Sequence, residues 1–445
     1  MDATDTIFAL SSAPGRAGIA VIRLSGPDAG AALQRLTGSP LPPPRRAALR
    51  TFLAPDGNGP IDRGLALWLP GPASFSGEDM AELHVHGGRA VPAAMLEALA
   101  AVRGLRLAEP GEFSRRAFEN GRLDLTAVEG IADLIAAETE AQRRQALRQL
   151  SGELGRVYED WRGRLMRVLA HVEAAIDFPE EGLPQDLIDR VAAEIGRISA
   201  EMRQHLEDGR RGERLREGLS VAIVGPPNAG KSSLLNWLVR REAAIVSATA
   251  GTTRDVIEMH LDIGGYPVLL ADTAGLREAA EDVEQEGVRR ALRRAETADL
   301  RIVLLDATAD GPGLVLEEIG GADAVLLVNK CDLHPAPGWT PNRALPISVK
   351  TGQGLDRLLR TLQDEVGRRM ALSSSPALTR QRHRQALEQC GEALSRAGAG
   401  LDGGALPELV AEDIRLAVRS LGRITGKTEV EDMLDVIFAE FCIGK

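Results

Sequence analysis

Gly225-Pro226-Pro227-Asn228-Ala229-Gly230-Lys231-Ser232 fits G-x-x-x-x-G-K-S, with the apolar strand-like run Leu219 to Val224 before it and a helical stretch after it. A strand that turns through such a loop into a helix is a phosphate cradle. Backbone N–H groups and the helix N-terminus surround the anion, Lys231 reaches the β and γ phosphates, and the Ser232 hydroxyl ligates Mg²⁺. Asn228, Ala229, Gly230 and Ser233 belong to that cradle by position. Residues 219 to about 370 alternate apolar strands with helices, the pattern of a parallel sheet covered on both faces, and so predict a Ras-like P-loop α/β domain.

Three further stretches follow in order. The strand Val268 to Ala271 runs into Asp272-Thr273-Ala274-Gly275, where Asp272 can hold magnesium through water and the Gly275 N–H can meet the γ-phosphate. Asn329-Lys330-Cys331-Asp332 comes after the strand Val325 to Val328, and Asp332 can accept from two adjacent N–H donors on guanine, a pair that adenine lacks. Ile347-Ser348-Val349-Lys350 is placed for a backbone N–H to read guanine O6. GTP is therefore the expected nucleotide. Leu276 stands where Ras-like switches carry a water-orienting Gln, so another group must position the water. Thr253, in Gly251-Thr252-Thr253-Arg254-Asp255, is the natural second magnesium ligand. The Asn228 side-chain oxygen could hold K⁺ beside the phosphates, with Arg254 and Arg277 as the alternative source of positive charge.

The 445-residue chain is too long for one ordinary core. Residues 1–120 mix short apolar runs, Gly/Pro turns and a helix near Val91 to Val102, which predicts an α+β domain. From 121 to 217 the period is helical. Thr126 and Glu129 form a capping box, and a second helix carries Val157, Trp161, Leu165, Val168, Val172 and Ile176 to a stop at Phe178-Pro179. The nucleotide domain is set at 218–373 and a second helical part at 374–445, with Val410, Ile414, Ala417 and Leu421 on one stripe. The two helical parts are expected to pack as one all-α domain interrupted by the inserted nucleotide domain. No apolar run approaches the length of about 20 residues that spans a bilayer, and Met1 to Leu10 has the wrong charge for a targeting leader, so the cytoplasm is expected. A net charge of −11 opposes indiscriminate nucleic-acid binding.

With the helical flanks, G-T-T-R-D from Gly251, D-T-A-G-L-R from Asp272 and the ending Phe441-Cys442-Ile443-Gly444-Lys445, the chain resembles the MnmE (TrmE) family of tRNA-modifying GTPases. The N-terminal A-P-G-R-A-G-I-A-V-I-R-L-S-G from Ala13, Gly77-Glu78-Asp79, His86-Gly87-Gly88 and Pro110-Gly111-Glu112-Phe113 are similar to its first domain. The resemblance implies a dimerising, tetrahydrofolate-binding module with Arg23, Glu82, Arg122 and Lys445 at the folate contacts, Arg122 standing where lysine is expected. It places nucleotide contacts along Ser247, Ala248, Thr249, Ala250, Gly251, Thr252 and Thr253, and assigns K⁺ to Asn228, Ser247, Thr249 and Thr252. It nominates Glu284 to orient the attacking water. It implies a homodimer, a heterotetramer with the FAD-dependent MnmG (GidA) protein, and the wobble uridine of certain tRNAs as substrate. Methylene- or formyl-tetrahydrofolate would supply the one-carbon unit, which becomes an aminomethyl or carboxymethylaminomethyl group at C5.

Cys442 is a candidate nucleophile by its place in C-I-G-K, set against the reading of a small buried hydrophobe between Phe441 and Ile443. Cys331, Cys390 and Cys442 lack C-x-x-C spacing, which excludes a disulfide framework and a four-cysteine zinc site. His84 and His86 face one way on a strand, and a structural use outweighs a metal one without a third ligand. The arginine groups at 210–216, 289–294 and 380–384 read as solvated helix faces. The nucleotide motifs taken alone fit equally well a regulatory ribosome-assembly GTPase of the Era or EngA kind.

Overall fold

The computed structural model describes residues 5–55, 57, 59–177, 185–208, 210–241, 244–245, 259–270, 298–311, 324–335, 337–371, 376–428, 431–439, 441 and 443–444, with backbone alone at 185–187, 244–245 and 431–433. Two units divide the chain: Met1–Ala132, Gln149–Gly182 and Ala405–Lys445 form one, and Asp133–Arg148 with Leu183–Gly404 the other.

In the first unit, β1 (Thr6–Leu10), β2 (Ala17–Ser25), β3 (Ala48–Leu53), β4 (Pro60–Leu69), β5 (Met80–Gly87) and β6 (Leu105–Leu107) form a sheet in the order β3-β4-β5-β2-β1-β6. The pairs are antiparallel except β1 with β6. Strand alternation sorts the side chains. Phe8, Ile22, Leu24 and Leu83 face the helices Ala29–Thr37 and Ala90–Ala100, whose Leu33, Leu36, Met95 and Leu99 close one core. Ile7, Ala9 and Met80 point the other way, onto Phe113 of the helix Glu112–Glu119. That second face also carries Arg23, because Arg23 lies opposite Ala9 in register.

The same unit contains a long helix pair. Glu153–Asp177 packs along Pro407–Thr425 through Leu154, Tyr158, Trp161, Leu165, Val168 and Val172 on one side and Val410, Ile414, Ala417 and Leu421 on the other. The predicted stop at Phe178-Pro179 lies outside the described residues. Sequence spacing predicted both stripes, apart from Val157 and Ile176, which are half-buried while Tyr158 takes the inner place. The predicted capping box is corrected. The helix Leu125–Ala136 starts two residues earlier than a Thr126 cap would place it, and Asp124 Oδ1 caps it by accepting from Ala127 N at 2.8 Å, while also accepting from Thr126 Oγ1 at 2.6 Å. A carboxylate outcompetes a hydroxyl where the helix's positive end gathers.

In the second unit, β7 (Leu219–Val224), β8 (Ala244–Ile245), β9 (Met259–Ile263), β10 (Tyr266–Leu270), β11 (Leu300–Asp306), β12 (Ala324–Asn329) and β13 (Leu345–Pro346) run in the order β13-β12-β11-β7-β10-β9-β8. The first five are parallel, and β9 and β8 extend the sheet antiparallel. Both faces of the central strands are buried. Leu300, Ile302 and Leu304 face Leu234 and Leu238 of the helix Lys231–Arg241 and Leu358, Leu362 and Val366 of Leu355–Met370. Val303 and Leu305 enter a second core with Ala222, Val224 and Val328. Doubly buried strands explain the unbroken apolar runs. Helix Gln185–Leu206 packs on Gln381–Asp402, so within each unit a helix preceding the nucleotide sheet in sequence packs on one following it.

Candidate functional site

β7 delivers the chain to the P-loop beside β11. A side chain at Gly225 would collide with Leu304 O, and one at Gly230 with the Asn329 amide, so glycine is required where the loop passes its neighbours. Between them Asn228 adopts φ 61°, a left-handed conformation that Asn tolerates better than most residues. Lys231 Nζ donates to Gly225 O at 3.0 Å and Pro226 O at 2.8 Å, and burial pushes its pKa down. A half-desolvated ammonium on two carbonyl acceptors can exchange them for phosphate oxygens at little extra desolvation cost.

Two loops meet the P-loop at a pocket of about 740 Å³, lined by Asn228, Gly230 and Ser233 of the P-loop and the start of its helix, by Asn329, Lys330, Asp332 and Leu333, and by Ser348, Val349 and Lys350. Asn329, 4% exposed, ties them together: Nδ2 donates to Ala229 O at 2.8 Å and Oδ1 accepts from Val349 N at 3.1 Å. Lys330, at φ 66°, donates to Asp306 Oδ2 at 2.6 Å. Burial alone would raise the Asp306 carboxyl, but hydrogen bonds from Lys330 and Thr308 hold it below the usual range. Cys331 points inward to Val328 O at 3.1 Å, and burial pushes its thiol up. Asp332 is thereby left on the pocket wall with its carboxylate exposed.

The sequence reading missed Asn236, Trp237 and Arg240, which line the same pocket. Their signal was spacing: Ser233, Asn236, Trp237 and Arg240 stand at i, i+3, i+4 and i+7 on the P-loop helix and so share a face. Among predicted residues, Ser247 to Thr253, Asp272 to Gly275 and Glu284, with Arg254 and Arg277, lie outside the described residues.

In the first unit, Arg23 Nη2 and Nε donate to Glu82 Oε1 at 3.0 and 3.2 Å, the two being direct cross-strand neighbours. The Arg23 guanidinium lies 5.4 Å from the Phe75 ring centre and 5.9 Å from that of Phe113. His84 Nε2 stands 3.3 Å from Glu82 Oε2, whereas His86 Nδ1 is 2.8 Å from Asp62 Oδ1, so each histidine has its own carboxylate. Arg122 sits against Gly77, and its N–H donates to Ala117 O at 2.8 Å. Lys445 and Cys442 lie outside the described residues; Ile443 forms a bridge with Pro110. Two of the arginine groups prove to be ion-paired at their centres: Arg214 to Asp299, Arg216 and Arg380 to Asp133, and Arg384 to Asp208 and Glu213. Among the described residues no helix is long and apolar enough to cross a membrane.

Comparison with known proteins matches residues 6–122 to the model of the GTP-binding protein TrmE N-terminus and residues 125–442 to the MnmE helical domain. This chain belongs to the MnmE family. The tRNA modification GTPase MnmE of Parvibaculum lavamentivorans is 60% identical over 99% of this chain and 100% of that one. The tRNA modification GTPase MnmE of Paramagnetospirillum magneticum is 56% identical with the same shares. The mitochondrial 5-taurinomethyluridine-[tRNA] synthase subunit of Danio rerio is 49% identical over 99% of this chain and 93% of that protein. A solved structure of Era from Aquifex aeolicus bound to GDP and aluminium fluoride covers 39% of this chain and 66% of its own at 28% identity, with a TM-score of 0.26.

Proposed function

We propose that this MnmE-family chain is a GTP-hydrolysing tRNA modification enzyme whose hydrolysis is completed by K⁺. With an FAD-dependent MnmG (GidA) partner it places an aminomethyl or carboxymethylaminomethyl group on C5 of the wobble uridine, in the cytoplasm. The observation that carries the nucleotide reading is the convergence of the P-loop residues Asn228, Gly230 and Ser233 with Asp332 and Ser348–Lys350 on one pocket. Lys231 supplies positive charge to the phosphates, Asp332 accepts from the guanine edge, and Asn329 fixes the distance between the two ends. Ser232, exposed at the start of its helix, fits as an oxygen ligand for Mg²⁺, and the amide of Asn228 on the pocket wall fits K⁺. A monovalent cation there would offset charge developing on the transferring phosphoryl group. Thr253, Ser247, Thr249 and Thr252 complete these sets in our reading, with Glu284 orienting water and Cys442 as nucleophile.

We assign a tetrahydrofolate derivative to the Arg23–Glu82 face. A pterin presents adjacent N–H donors like those of guanine, and Glu82 is a half-buried carboxylate flanked by Phe75 and Phe113 through Arg23. Arg122 and Lys445 supply the remaining cations, and a folate would contribute the one-carbon unit. The Danio rerio relative is named for a substituted methyl group on uridine C5, which agrees with one-carbon chemistry at that atom. Domains at 1–120, 121–217, 218–373 and 374–445 and a homodimer complete the proposal.

The deciding experiment is initial GTP hydrolysis with Mg²⁺ in KCl against NaCl at equal ionic strength, for the native chain and Asn228→Ala. K⁺ stimulation of tenfold or more that disappears in the variant supports the reading; equal rates in both salts remove it.

A further inference from the structure

The helix Arg211–Glu217 carries the chain into β7, and residues 377–380 carry it out of the nucleotide sheet. Where they cross, any side chain at Gly212 would strike Leu378 O. Asp133, near the end of the helix Leu125–Ala136, binds both passages: its Oδ1 accepts Arg216 Nε at 3.1 Å and Arg380 Nη2 at 2.8 Å. Two residues before Arg216, Arg214 Nε donates to Asp299 Oδ1 at 2.7 Å, and Asp299 Oδ2 accepts Ser220 N of β7 at 3.1 Å. Residues two apart on a helix are separated by about 200°. The connector therefore grips the nucleotide sheet with one side and Asp133 with the other.

Beside Asp133 lies a cavity of about 200 Å³, also lined by Gln142, Gln145, Arg216 and Thr379. Gln145 is 7% exposed, and its Oε1 has no hydrogen-bond partner among the described residues. A buried acceptor left unmet is destabilising, so it can take a donor. Asp133 keeps Arg380 if Arg216 departs, and no buried charge is stranded.

We propose that Asp133, Arg216 and Gln145 form a two-position clasp: Arg216 is held by Asp133 in one nucleotide state and donates across the cavity to Gln145 Oε1 in the other. Turning of the connector thus transmits nucleotide state to residues 133–148. The clasp rests on the GTP-site reading above, and Asp133 and Gln145 are positioning residues outside the hydrolytic machinery.

Hydrogen exchange on the full chain, with Mg²⁺ and KCl and with GDP against a non-hydrolysable GTP analogue, tests it. Exchange at 211–217 and 140–148 is expected to differ severalfold between the two nucleotides in the native chain. Gln145→Leu should erase that difference while the melting temperature does not fall and GTP hydrolysis stays within about twofold. Gln145→Glu, which attracts Arg216 more strongly, should fix the second pattern with either nucleotide. A difference that survives in Gln145→Leu, or is absent from the native chain while 225–233 is protected, overturns the clasp alone. Absence of nucleotide protection at 225–233 overturns the GTP-site reading and the clasp with it.

Discussion

Asn329 illustrates how much one buried amide can organise. Its two polar ends satisfy Ala229 O and Val349 N, groups on different loops. Asn329→Ala leaves both unmet, at about 1–3 kcal/mol each, and lets the phosphate and base ends of the pocket drift apart. Titration with a fluorescent guanine nucleotide should give a Kd at least tenfold weaker than native, together with a lower melting temperature. An unchanged Kd would mean that the strut is dispensable. The motif pointed to this position in the sequence, yet its role as a link between loops did not show there, because both partners are more than 19 residues away in the chain. Cysteine fates were equally hidden. Cys390 is fully buried and its thiol is pushed up to about 12 by desolvation, and Cys331 is raised by the same cause. A thiol reagent at pH 8 should modify neither in the folded chain, and rapid labelling of either would contradict their burial.

At the scale of elements, the helix Glu112–Glu119 is fastened beside β1 and β6 by ion pairs as well as by Phe113. Arg106 donates to Asp5 and Glu112, and Arg116 to Asp5, Glu112 and Glu78, with Glu112 only 4% exposed. Burial would raise the Glu112 carboxyl, but Arg106, the Glu109 N–H and Arg116 hold it below the usual 4.5. A carboxyl depressed in the folded state contributes stability that is complete above 4.5 and is lost as pH falls through the lower folded value. The melting temperature should therefore fall below about pH 4.5 in the native chain and less steeply in Glu112→Gln, which should itself lose about 2–3 kcal/mol at neutral pH. Parallel pH profiles for the two proteins would exclude this network as the cause. The helix pair Glu153–Asp177 and Pro407–Thr425 is held differently. Leu165 is fully buried in its seam, so Leu165→Ala should cost about 2–5 kcal/mol, read as faster hydrogen exchange along both helices. Unchanged exchange would mean that the seam carries little energy. Periodicity exposed this stripe in the sequence because burial on one face imposes a 3.6-residue repeat, whereas the salt network joins residues up to 111 apart and leaves no local trace.

At the scale of the molecule, the two proposed ligand sites belong to separate units, the Arg23–Glu82 face to one and the pocket lined by Asn228 and Asp332 to the other. Arg23→Ala should abolish the thermal stabilisation given by a reduced folate while leaving guanine-nucleotide affinity within about twofold. Lys231→Ala should do the reverse, and loss of both responses in either variant would show that the sites are not independent. The sequence by itself determined the nucleotide domain, its base preference and the family, because phosphate and guanine recognition demand fixed residue types at fixed spacings on a strand–loop–helix frame. It also exposed the buried stripes of the helices Glu153–Asp177 and Pro407–Thr425. Only the tertiary structure decided that Arg214 and Arg216 grip opposite neighbours and that Asp133 closes on both passages of the chain. Those choices depend on which distant charges and surfaces the packed elements bring within 3 Å, and no local pattern encodes that distance.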